Sequence, residues 1–166
     1  MKKLILLLAI FLSPFQALSL TKEGMKEFSE KAILDCDSYG PESCGARFMA
    51  MGACTYFVSI NKGKSNSEAM KIGDAMFVYM MHSHEIKPQI LFNKDQEIKE
   101  NIKNEFINRT NFCKSEIEKA VPIIFRETQG NDINKQPELK QRLVRAFPFW
   151  YLESLEKIIK KGNKID

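Results

Sequence analysis

Residues 41–60, PESCGARFMAMGACTYFVSI, decide the fold. Phe48, Met49, Met51, Cys54, Tyr56, Phe57, Val58 and Ile60 follow one another with Arg47 almost the sole charge, so no face of this segment is polar. A helix that is apolar all round is buried at the centre of its domain. Gly45, Ala46, Ala50, Gly52 and Ala53 are small enough to let neighbouring helices approach it closely, although the glycines weaken its intrinsic helix propensity. Pro41 suits the first helical turn, where its missing N–H costs nothing.

Working outward, the remaining segments repeat apolar residues at helical spacing. Met25, Phe28, Ala32 and Leu34 predict a short amphipathic helix from Lys22 to a stop near Cys36. On the other side, Asn61 to Ser67 is a polar break in which Ser65 or Ser67 caps a third helix, carrying Met70, Ile72, Met76 and Met80 and ending around His84. A fourth helical segment starts near Asp95 with a break expected around Asn111 or Pro122. Gln129 to Gln136 reads as a loop, and helical spacing resumes from Pro137, with Pro148 expected to kink the helix or divide it in two. No alternating strand pattern is sustained. The expected fold is all-α, a small disulfide-stapled bundle of five or six helices in one domain, residues 20–166, with a basic tail at Lys157, Lys160, Lys161 and Lys164. The aromatic run Phe147, Phe149, Trp150 and Tyr151 reads equally as a core seam or as an exposed patch.

At the other end, Lys2 and Lys3 precede the apolar run Leu4 to Leu12, then Ser13, Pro14 and the small residues Ala17 and Ser19. That order is a signal peptide, residues 1–19, with cleavage expected after Ala17 or Ser19. The run is short of the roughly 20 residues that span a bilayer, so no stable membrane anchor is expected. The mature chain is then periplasmic or secreted. Losing Lys2 and Lys3 lowers the formal net charge from +4 to about +2, which lacks the footprint of a nucleic-acid binder.

Cys36, Cys44, Cys54 and Cys113 are four in number, which in an oxidising compartment reads as two disulfides. Three connectivities are open. Cys36 with Cys44 is favoured because Ser38-Tyr39-Gly40-Pro41 lets the chain reverse between them, leaving Cys54 with Cys113.

Catalytic signatures are scarce. The two histidines, His82 and His84, are two apart and so point in different directions on a helix, unlike an i, i+4 zinc pair. No Gly-x-Ser-x-Gly, P-loop or dinucleotide fingerprint occurs, so a non-enzymatic protein without a cofactor is expected. Met76, Met80, Met81, His82 and His84 offer thioether and imidazole ligands of the kind that suit copper, with Met49 and Met51 candidates to join them. Methionine also fills irregular helical cores. The polar loops supply the expected partner contacts: Asn61, Lys62, Lys64 and Asn66 in the first, Gln129, Asn131, Asp132 and Asn134 in the second.

Several fragments resemble the Rap/Tai type of periplasmic immunity protein of type VI secretion systems. They are Ile33-Leu34-Asp35-Cys36, then Cys54-Thr55-Tyr56-Phe57-Val58, and Pro137-Glu138-Leu139 leading through Leu143-Val144 to Ala146-Phe147-Pro148, with Cys113 corresponding loosely to a cysteine that opens a later helix. Phe149 and Trp150 follow where that family commonly has a cysteine, and His84 to Phe112 is longer and more charged than its pattern. The resemblance implies a monomeric or homodimeric inhibitor whose protein partner is a secreted peptidoglycan amidase, blocked by occlusion. A copper or small-ligand binding protein, and an accessory subunit of a secretion or conjugation apparatus, are the alternatives.

Overall fold

A computed structural model describes residues 22–162, with side-chain surroundings for Cys36 and residues 40–161. The leader with its cleavage region, and Lys164 of the basic tail, lie outside the described residues. The fold is all-α. Its helices are α1 (Lys22–Asn61), α2 (Asn66–Ser83), α3 (Glu100–Thr110), α4 (Lys114–Gln129) and α5 (Pro137–Gly162), joined in part by short 3-10 turns at Pro88–Leu91, Asn111–Cys113 and Ile133–Lys135. Among the described residues the extended pairing is limited to one antiparallel bridge, Phe92 with Ile98. No described helix is long and apolar enough to cross a membrane.

The first two expected helices form one element, α1, broken at Gly40, whose φ of 80° and ψ of 165° are non-helical. A positive φ is open to glycine at little cost and strains other residues. In an unbroken helix eight residues advance about 12 Å. Cys36 and Cys44 are disulfide-bonded with their Cα atoms only 5.3 Å apart, so the chain doubles back between them. The arm after Gly40 is the buried centre: Phe48, Met49, Ala53, Tyr56 and Phe57 have no accessible surface. It packs against α2, α3, α4 and α5.

Helix α2 starts with a capping box, the Ser65 hydroxyl accepting from the Glu68 N–H while the Glu68 carboxylate accepts from the Ser65 N–H. It lies close on α1 because Gly52 and Gly73 face each other. A Cβ built on Gly52 would stand 2.8 Å from the Gly73 carbonyl oxygen, and one on Gly73 2.7 Å from that of Gly52. The small residues of α1 thus serve the close approach read from the sequence. Leu91, wholly buried, fills the space beside Gly45, and Glu42 accepts hydrogen bonds from Lys99 and Asn101, fixing the segment after α2 to the start of the buried arm.

The break expected near Asn111 or Pro122 falls at Asn111–Cys113, where Cys113 bonds to Cys54 with a Cα separation of 5.7 Å. Both Cα separations lie in the usual disulfide range. Pro122 and Pro148 sit inside α4 and α5, which run through them. Pro148 therefore does not divide the last helix. Val144 before it packs on the core, as do the buried Tyr151, Leu152 and Leu155 after it, and this packing outweighs the lost helical hydrogen bond. The Gln129 to Gln136 loop is anchored by a wholly buried Ile133 in its 3-10 turn.

Candidate partner-binding cleft

On α5, Pro137, Lys140, Gln141, Val144 and Pro148 are spaced at intervals of three and four, which places them on one face of the helix. That face meets Lys114, Ile117 and Glu118 of α4 across an open cleft of about 620 Å³, closed at one end by Ile107, Thr110 and Asn111 at the end of α3. A shallower depression of about 480 Å³ continues along α4 past Pro122, Ile123 and Arg126, sharing Glu118, Asn134 and Lys140 with the first. Ligand clefts fall in this size range and combine an apolar lining with a few placed polar groups. Here Ile107, Ile117, Val144 and Pro148 are the apolar part.

Lys114, Lys140 and Arg145 border the larger cleft and form no ion pair among the described residues; Lys140 donates one hydrogen bond, to the Asn134 side chain at 3.1 Å. Glu118 is the carboxylate facing them. By contrast, Lys119 in the shallow extension is paired with Glu116 at 2.9 Å. Exposed apolar side chains gather on the same side. Phe149, 48% exposed, lines the cleft, and Ile123 lines its extension. Phe112, 82% exposed, lines neither and carries the Arg109 guanidinium 5.8 Å from its ring centroid.

The residues expected to contact a partner divide. Lys62, Lys64, Gln129, Asn131 and Asp132 are exposed. Asn61 and Asn66 are half-buried and work inside the fold: Asn61 donates to the Glu116 carboxylate at 2.7 Å, and Asn66 accepts from the Tyr56 hydroxyl at 2.6 Å. Asn134 alone among the eight borders the cleft. Asp132 caps its turn, accepting from the Asn134 N–H, which holds its carboxyl below the ordinary aspartate range. The copper candidates divide as well. Met76, Met80 and Met81 are in the core, His82 is exposed, and the half-buried His84 stacks on Phe48 with ring centroids 4.8 Å apart. Of the aromatic run, Tyr151 is core and Phe149 and Trp150 are surface, so it is seam and patch at once.

A second polar cluster lies at the glycine crossing. The buried Tyr151 hydroxyl would be 2.7 Å from a Cβ on Gly52 and donates a long hydrogen bond, 3.4 Å, to Asp74. Burial pushes the Asp74 carboxyl up to about 6, against the opposing effect of that hydrogen bond. Burial also raises the Tyr56 and Tyr151 hydroxyls. Sequence reasoning missed Asp74, Lys114, Lys140 and Arg145. The spacing on α5 was a usable signal for Lys140 but not for Arg145, five residues on; Lys114 is placed by the turn at Cys113, which carries no periodicity. Compared with protein-family models, curated proteins and solved structures, the chain matches none, so the chemistry of the cleft carries the functional reading.

Proposed function

We propose that this chain is a non-enzymatic binding protein working outside the cytoplasm, periplasmic or secreted once the leader at residues 1–19 is removed, and that the α4–α5 cleft holds a protein partner. The observation that carries this is the coincidence of an open cleft with its extension, three cations without ion pairs and the exposed Phe149 and Ile123 on a scaffold pinned by two disulfides. Exposed apolar residues grouped beside polar ones mark interaction surfaces more than isolated ones do. A scaffold held by disulfides loses less ordering entropy on binding, which leaves more of the contact energy for affinity. Disulfides persist in oxidising compartments, in keeping with the location.

The partner favoured by the sequence resemblance is a secreted peptidoglycan amidase, inhibited by occlusion of its groove. The test mixes the mature chain, disulfides formed, with the amidase encoded beside its gene and follows peptidoglycan hydrolysis. Stoichiometric loss of hydrolysis is the expected result. Hydrolysis undiminished under a large excess of the mature chain removes the amidase reading.

A further inference from the structure

Proline removes the helical donor to the carbonyl four residues earlier. Pro122 therefore strips the Glu118 carbonyl of its i+4 donor, and Pro148 does the same to Val144. All four residues line the cleft or its extension: Pro122 and Glu118 on one wall, Pro148 and Val144 on the other. Each wall thus carries a backbone acceptor that its own helix leaves without the usual partner. Lys114, Lys140, Arg145 and the exposed Phe149 line the same cleft.

We propose that the occupant of the cleft is an acidic segment of the partner protein bearing an aromatic or aliphatic anchor, an inference that rests on the binding-protein reading above. Its carboxylates meet the three cations. The anchor enters between Val144 and Pro148 on one side and Ile107 and Ile117 on the other, under Phe149. N–H groups of the segment donate to the Glu118 and Val144 carbonyls. Charge selects this occupant, because a basic segment would place like charges beside Lys114, Lys140 and Arg145, and like-charge juxtaposition in an interface is strongly unfavourable. Glu118 is the one carboxylate among the lining residues of the larger cleft, so positive charge prevails there.

The probe is a fluorescein-labelled peptide of about twelve residues, rich in Asp and Glu around a central Phe, compared with the same peptide carrying Ser for Phe and with one carrying Lys for the acids. The acidic Phe peptide is expected to bind, raising its fluorescein anisotropy, with a Kd that rises about tenfold when Lys114→Glu, Lys140→Glu and Arg145→Glu are combined, and that rises with salt. The Ser peptide should bind more weakly and the Lys peptide not at all. Equal binding of all three peptides, or binding indifferent to the charge reversals in a variant whose circular dichroism matches the parent, overturns the proposal. So does charge-dependent binding to vesicles of phosphatidylglycerol without binding to the acidic peptide, which would make the surface a membrane contact. The amidase assay separates this inference from its parent. Inhibition retained in full by the triple variant sinks the acidic-segment proposal alone, whereas peptide binding without amidase inhibition sinks the amidase alone.

Discussion

Two helix pairs in this molecule meet in opposite ways. Helices α1 and α2 touch backbone to backbone, because Gly52 and Gly73 leave no side chain between them and the buried Tyr151 seals the crossing. Helices α4 and α5 stand apart over a cleft lined by lysine, arginine, glutamate and two helix prolines. Helix separation is set by the side chains at the contact, glycines at the first seam and long polar side chains and prolines at the second. Close packing at the first seam fixes the scaffold. The second seam opens in part as a cleft and keeps polar groups accessible, which is the state a binding surface needs.

The largest effect comes from the link between the two halves. Cys54 lies in the buried arm of α1 and Cys113 at the joint that starts α4, so their disulfide ties one wall of the open seam to the closed one. Replacing both, Cys54→Ala with Cys113→Ala, frees a loop of 59 residues in the unfolded chain and is expected to cost about 4 kcal/mol in urea unfolding. Amide exchange in α4 should accelerate more than in α2. Equal acceleration in both would mean that the two seams are one cooperative unit and that the comparison has no energetic content.

Next in size is the glycine crossing. Gly52→Ala puts a methyl group 2.7 Å from the Tyr151 hydroxyl and 2.8 Å from a backbone carbonyl, and backbone yields far less than a flexible side chain. Overpacking of this kind costs about 1–3 kcal/mol. Gln141→Ala in the open seam should stay within about 0.5 kcal/mol of the parent. Thermal or urea denaturation of both variants checks the contrast, and similar losses would dissolve it.

These two regions also differ in how far the sequence discloses them. The buried helix around Phe48 to Ile60, the turn at Gly40 and the favoured pairing of Cys36 with Cys44 follow from local composition, and the structure has all three. The small residues of α1 announced a close neighbour, but that Gly73 is that neighbour depends on the angle at which α2 crosses. The cleft is less legible still. Its walls come from three helices, and its cations look in sequence like ordinary solvated positions. Pro148 misled because local chemistry favours a break there while packing of Val144, Tyr151 and Leu155 on one core holds the helix together. Asn61 and Asn66 misled in the other direction: as loop asparagines they read as contacts to spare, yet both are hydrogen-bonded into the fold.

A smaller effect separates the seams by pH. Asp74 beside the glycine crossing has its carboxyl raised from 3.8 to about 6 by burial. Below about pH 4 it is protonated in both the folded and the unfolded chain and costs nothing. Between there and about pH 6 the unfolded chain releases its proton first, so stability falls with rising pH, and above that range the penalty is constant. Asp74→Asn should therefore raise the Tm at pH 7 relative to the parent and leave it nearly unchanged at pH 4. A variant less stable than the parent at pH 7 would show that the Tyr151 contact with the charged carboxylate outweighs its burial.

The smallest expected change is the most informative about the open seam. Lys140 and Arg145 border the cleft with Lys114 and form no ion pair among the described residues; Lys140 donates one hydrogen bond, to Asn134, and the single lining carboxylate, Glu118, offsets only part of their charge, so the folded chain gains little from them. Changing either to glutamate should leave stability within about 0.5 kcal/mol. Groups that contribute little to folding while crowding like charges around an apolar recess are explained by what the recess receives. If Lys140→Glu or Arg145→Glu instead costs about 1.5 kcal/mol or more by denaturation, a size that a surface change seldom reaches, the cations belong to the scaffold and the second seam is as structural as the first.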